Sequence, residues 1–323
     1  MSIIINLLVL LAVALVAGWL GTKIGLSKVV GQLMAGLIVG PALLNVVPNS
    51  HPIEVIAEIG VLLLLFNAGL ETDVKTLKDN AKPATWVALM GVIVPLVAFP
   101  LVAYFGLGIE LGIAIFWGIV FAATSISITI AVLTEQNKVQ SRVGAVVLGA
   151  AVLDDILALL LVTAYTAFVG GNGLSITTLF PLIAFGLGLA LSRWSKAEDM
   201  YHILSNVGEW SLYPIFFGSI GLAVTLDLSV KMVVVLLLLT VLAVATKYYG
   251  SGFGARFAGL NVAEARATGA GMVSRGEMAL VIAKIGLGAG VLSAPIFAEF
   301  VVVIILSTIV APIMLKPMLS KVD

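Results

Sequence analysis

Apolar residues occur in long runs along this chain, and polar residues gather in the short gaps between them. Taken as helices, the runs predict eleven membrane-length spans, at roughly 3–20, 29–47, 53–70, 83–105, 111–133, 142–168, 175–192, 207–224, 231–250, 267–289 and 295–316. The predicted fold is therefore an all-α polytopic membrane protein. Connections are short, so residues 1–323 read as a single transmembrane domain with no soluble regulatory or nucleotide-binding part. Two spans are interrupted by polar residues. The fifth carries Thr124, Ser125, Ser127 and Thr129, and the tenth carries Gly269, Gly271, Ser274, Arg275, Gly276 and Glu277. At both places a helix can unwind at mid-depth and expose backbone carbonyls and half-helix ends.

The pattern also repeats. The segment Gly25–Gly40 is echoed by Gly173–Gly188, and Leu64–Leu70 by Ile215–Leu222, in the same order. Residues 1–168 then form a first repeat and 173–319 a second. The offset of five spans inverts one half relative to the other, an arrangement typical of secondary transporters, with the two broken helices as mates.

Composition agrees with the pattern. The 323 residues are 61% hydrophobic and 11% charged, which leaves too little polar surface for a soluble domain of this size. Seventeen basic residues balance seventeen acidic ones, so no net charge favours a nucleic-acid partner. Without cysteine there is no disulfide framework, thiolate metal site or thiol nucleophile. The N-terminal run lacks a basic start and a small-residue cleavage site, so it predicts a helix and not a signal peptide.

Charge distribution sets the expected orientation. Alternate loops carry Lys23 and Lys28; Lys75, Lys78 and Lys82; Lys138 and Arg142; Arg193 and Lys196; Arg256 and Arg266; and Lys316 and Lys321. The opposite loops carry only Lys231. The positive-inside rule then places the N-terminus outside and the C-terminus in the cytoplasm of a cell (inner) membrane. Lys247 reads as closing the ninth span, and Lys284 as a side chain reaching for the interface.

The candidate chemistry lies in the sixth span. Asp154 and Asp155 are adjacent, and Asp154 is ~18 Å from Arg142 along a helix, deep in a hydrocarbon layer ~30 Å thick. A charge there costs ~3 kcal/mol on insertion scales. Two carboxylates at that depth suit a proton or a small hard cation held midway across the membrane. They titrate jointly, and neither owns a pKa. Proton and cation compete for one site, and competition with alternating access is exchange. A plainer reading is a structural cluster neutralised by Lys247. Thr124 and Ser125 can supply oxygen ligands or merely bond the i−4 carbonyl. Arg275 and Glu277, two residues apart, read as an ion pair that stabilises the helix break.

At these residues the chain resembles the sodium/hydrogen exchanger family, in its bacterial monovalent cation:proton antiporter-2 branch. The matching features are Glu58–Glu71, Thr124-Ser125, Leu153-Asp154-Asp155, Phe216–Leu222, Thr246-Lys247 and Gly271–Glu277, in family order over nearly the whole chain. The resemblance implies that Asp155 is the principal ion and proton carrier, with Asp154 paired to Lys247 when no ion is bound. It implies Na+ coordination by Asp155, Asp154 and Thr124, with Ser125 a further oxygen ligand and Lys247 the coupling lysine. Arg275 and Glu277 become structural charges of the core. No cofactor is implied beyond the transported Na+, Li+ or K+ and H+, and a homodimer in the lipid bilayer is expected. The family plan has thirteen spans, and this chain lacks two, between the Asp helix and the second Gly-Leu-Ser segment.

The expected function is secondary active exchange of a monovalent cation for protons, electrogenic if Lys247 also releases a proton. The rival is a cation channel or ion-sensing membrane protein on the same core. An intramembrane aspartyl protease needs carboxylates from two helices that meet face to face. These two are consecutive, ~100° apart on one helix, so no enzyme is expected.

Overall fold

A computed structural model describes residues 3–72, 81–168, 176–224 and 229–322. Among the described residues there are fourteen α-helices and no strand. They are α1 (Ile3–Lys23), α2 (Lys28–Val39), α3 (His51–Glu71), α4 (Ala81–Leu101), α5 (Leu111–Ala122), α6 (Ile126–Glu135), α7 (Arg142–Phe168), α8 (Ile176–Leu191), α9 (Ala197–Val207), α10 (Tyr213–Leu222), α11 (Val230–Phe257), α12 (Val262–Gly271), α13 (Glu277–Gly288) and α14 (Ala294–Leu319). Wider π turns extend α4 over Val102–Gly106 and join α9 to α10 over Gly208–Leu212. Asp73, Lys75 and Lys78, and the Gly173, Leu174 and Ser175 start of the second repeat, lie outside the described residues.

Among the described residues seven spans are long and apolar enough to cross a membrane, one of them the broken run Leu111–Glu135, while Lys28–Val39 and Leu179–Leu191 are shorter apolar helices. The sequence reading needs three corrections. α2 stops at Val39 and not near residue 47, because Gly40 is extended and precedes Pro41, whose ring disfavours a helical residue before it. The amphipathic α9 precedes the eighth predicted span and runs into it. Lys247 does not close its helix, since α11 continues to Phe257. Gly250 and Gly254, inside this helix, are packing positions. A Cβ on Gly250 would come within 2.6 Å of Met90 O, and one on Gly254 would strike the Trp86 carbonyl, so α4 lies backbone-close along this side of α11.

The chain forms two compact units. The first comprises Met1–Asp73, Leu174–Asp227 and Ala294–Ala298. In it, α2 meets α10 through Gly36, whose α-carbon faces the Gly218 carbonyl, and Gly221, which faces Leu33 O and Leu37 N. α3 meets α8 in the same manner, through Gly69 against Phe185 and Gly188 against Phe66. Asn67 Nδ2 donates to Tyr213 Oη at 2.7 Å inside this unit.

The second unit comprises Val74–Gly173, Leu228–Ser293 and Glu299–Asp323. Its core includes Ala84, Val87 and Ala88 of α4, Val146, Val147 and Ala150 of α7 and Ala267 and Ala270 of α12. Phe99 stacks on Phe121 at 4.3 Å, and Phe300 meets Phe121 edge-on at 4.8 Å. Each unit takes helices from both halves of the chain, so neither coincides with 1–168 or 173–319.

Candidate functional site

Every residue singled out for chemistry lies in the second unit. The fifth predicted span is interrupted at Ala123–Ser125, between α5 and α6, and the tenth at Met272–Gly276, between α12 and α13. A break of this kind strands backbone groups that a continuous helix would pair, and in a membrane each must find a partner inside the protein.

The partners come from across the site. Phe121 O, which an unbroken helix would offer to Ser125 N, accepts instead from Arg275 Nε at 3.2 Å and Nη2 at 2.8 Å. Ala122 O, likewise released, accepts from Lys247 Nζ. Ser125 N turns to Ser274 O at 2.8 Å. Gly271 O accepts from Thr129 Oγ1 at 2.6 Å, Val273 O from Arg275 Nη1 at 3.4 Å and Arg275 O from Thr308 Oγ1. The two breaks therefore cap each other. They also approach closely: a Cβ on Gly276 would meet Ser125 Oγ at 2.7 Å and Ser125 Cβ at 2.8 Å, so no larger residue fits there without a shift. The charges follow the half-helix dipoles. Arg275 and Lys247 lie against the C-terminal end of α5, while Glu277 opens α13.

The carboxylates enter from α7. Asp154 and Lys247 are fully buried, and Lys247 Nζ lies 2.6 Å from Asp154 Oδ2. The same Oδ2 accepts from Thr124 Oγ1 at 2.5 Å, and Thr124 makes a longer contact of 3.4 Å to Met272 O. Asp154 Oδ1 has no hydrogen-bond donor among the described residues. Lys247 completes its three donors with Gly91 O at 3.1 Å and the Ala122 carbonyl. Asp155, one residue on, is only partly buried, and its charge acts on Lys247. Thr124 thus bonds a carboxylate and not its i−4 carbonyl, whereas Thr246, beside the lysine, does bond Leu242 O at 2.7 Å.

Arg275 and Glu277 do not pair with each other. Arg275 is fully buried, spends its guanidinium on Phe121 O and Val273 O, and lies over the Phe121 ring at 5.7 Å. Glu277 accepts from Ser125 Oγ at 2.7 Å and from Ser127 Oγ. Residues two apart face different directions at a helix start, so each reaches a different part of the other break. Sequence reasoning gave Thr308 no role, because a lone threonine in an apolar span carries no local signal.

Two helices broken at mid-span, with freed carbonyls held by a buried lysine and arginine beside a buried carboxylate, are an arrangement found in secondary transporters. The chain belongs to the family described as sodium/hydrogen exchanger, transmembrane, which it matches over residues 11–191 and 181–321. Members of this family are transporters and not enzymes. The chain is 34% identical to the Na(+)/H(+)-K(+) antiporter GerN of Bacillus cereus, covering 96% of this chain and 94% of that protein. It is 32% identical to an Na(+)/H(+) antiporter of Enterococcus hirae, with 98% of each covered. The fold is similar to that of the sodium proton antiporter MjNhaP1 from Methanocaldococcus jannaschii, with a TM-score of 0.64, 15% identity, and 96% and 97% of the two chains covered. The alignment with GerN runs over 365 residues against the 323 of this chain, so GerN carries residues that have no counterpart here.

Proposed function

We propose that this protein exchanges Na+ or Li+, with K+ the third candidate, for protons by alternating access. The observation that carries the reading is the fully buried Lys247–Asp154 pair, with Thr124 on the same carboxylate oxygen, set against the carbonyls released by the breaks. The names of the relatives, Na(+)/H(+) and Na(+)/H(+)-K(+) antiporters, support the choice of ions.

In this account Asp155 carries the ion or the proton, and Asp154 Oδ1, Thr124 Oγ1 and Ser125 Oγ add oxygen ligands suited to a hard cation. A cation that engages Asp154 takes the place of the Lys247 ammonium, and a proton on the carboxylates excludes the cation. If Lys247 also releases a proton, two protons move per cation and the cycle is electrogenic. Arg275 and Glu277 hold the two breaks together. The orientation proposed from the loop charges is N-terminus outside and C-terminus in the cytoplasm of the inner membrane, and a homodimer follows from the family resemblance. The packing of α2 on α10 and of α3 on α8 supports the inverted repeat, because each pair joins a helix of one half to the counterpart of its neighbour in the other.

The test is reconstitution in liposomes that hold an internal pH dye and a proton gradient. Addition of Na+, Li+ or K+ should dequench the dye with wild type and fail to do so with Asp155→Asn. Equal responses from the two proteins would remove Asp155 from the carrier role, and no response from wild type would remove exchange.

A further inference from the structure

Ser251 lies one turn beyond Lys247 on α11, fully buried, and its hydroxyl has no hydrogen-bond partner among the described residues. A hydroxyl buried without a partner costs free energy, and α11 has not even satisfied it with a carbonyl of the preceding turn, as Thr240 and Thr246 do on the same helix. Its surroundings suggest why. A Cβ placed on Gly91 of α4 would come within 2.5 Å of Ser251 Oγ and 3.3 Å of Lys247 Nζ. The hydroxyl and the ammonium thus flank one notch, kept open because residue 91 has no side chain. Thr163, Thr268 and Ser274 also carry buried hydroxyls without partners among the described residues, and of these four Ser251 shares the Gly91 notch with Lys247.

The donor count of Lys247 gives the hydroxyl a purpose. Its three N–H bonds go to Gly91 O, Ala122 O and Asp154 Oδ2. When a cation claims Asp154, one of the three loses its acceptor, and the donor left over sits on a fully buried ammonium. We propose that Ser251 is a positioning residue that receives the Lys247 head group when the cation displaces it from Asp154. A short swing of Nζ away from α7 and further into the notch keeps the bond to Gly91 O and exchanges Asp154 Oδ2 for Ser251 Oγ. A hydroxyl can accept from an ammonium or donate to a neutral amine, so the inference requires no particular charge on Lys247. The charges that act on the lysine are Asp154 and Asp155 from α7 and Arg275 from the second break, while α4 and α5 present it with carbonyls. The inference rests on the exchange reading above.

Ser251→Ala tests it, because the hydroxyl makes no bond while Lys247 holds Asp154 and would make one once the lysine is displaced. In proteoliposomes the apparent KM for Na+ should rise about tenfold, the effect of one lost hydrogen bond to a charged donor. In detergent without Na+ the unfolding temperature should stay equal or rise, while the further rise on adding Na+ should shrink. A mere packing role would instead lower the Na+-free unfolding temperature. Ser251→Cys keeps the volume with a poor hydrogen-bonding group and should follow the alanine variant in KM. An unchanged KM in both variants, with wild type active and Asp155→Asn inactive, would overturn the inference and leave the exchange reading standing. A wild type without cation-dependent dequenching would overturn both.

Discussion

Arg275 shows how much of the site depends on single atoms. Its guanidinium puts two N–H groups on Phe121 O and a third on Val273 O, and an ammonium has no planar fork with which to reach all three. Arg275→Lys should therefore destabilise the protein by about 1–3 kcal/mol, seen as a lower unfolding temperature in detergent, because a carbonyl released by the break would lose its partner. Thr124 differs, since its hydroxyl bonds the carboxylate proposed to meet the ion. Thr124→Val should raise the apparent KM for Na+ about tenfold and change the maximal rate less, as expected for a lost ligand and not a lost carrier. The identity of these residues was legible in the sequence, because Asp154, Asp155, Thr124 and Lys247 are polar side chains in apolar runs. Their partners were not. The bonds of Arg275 to Phe121 and of Glu277 to Ser125 and Ser127 span about 150 positions, and their local spacing suggested a pair between neighbours that does not form.

Element boundaries were legible where the chemistry changes abruptly. α7 occupies Arg142–Phe168, bounded at its start by a charge, and coincides with the sixth predicted span. Boundaries failed where glycine has two meanings. Gly40 ends α2, whereas Gly250 and Gly254 sit in mid-helix and bring α11 against α4, which is how Lys247 comes to lie deep within its helix. α9 was missed because Glu198, Asp199 and His202 interrupt the apolar pattern of a helix that keeps one face polar. The close contacts between elements carry their own expectations. Gly276→Ala should lower both transport and thermal stability, since the new methyl would meet Ser125 across the two breaks. Gly36→Leu should reduce the yield of folded protein, as judged by size-exclusion chromatography, because α2 and α10 have no space for a side chain between their backbones.

For the whole molecule, the loop charges predict which ends face the cytoplasm, and the absence of cysteine makes this simple to check. Asn49→Cys should react with an impermeant maleimide in intact cells, and Ser320→Cys only after the membrane is opened. The reverse pattern would invert the proposed orientation. The all-helical fold and the family were legible from hydropathy and motifs, while the mutual capping of the two breaks depends on contacts between distant parts of the chain. The central claim is that proton and cation compete for one site centred on Asp155 and Asp154. The most direct measurement is proton release from the purified protein in weakly buffered detergent when Na+ is added. The account predicts release from wild type, saturating with Na+ and absent in Asp155→Asn. Na+ binding demonstrated calorimetrically without any release of protons would contradict it.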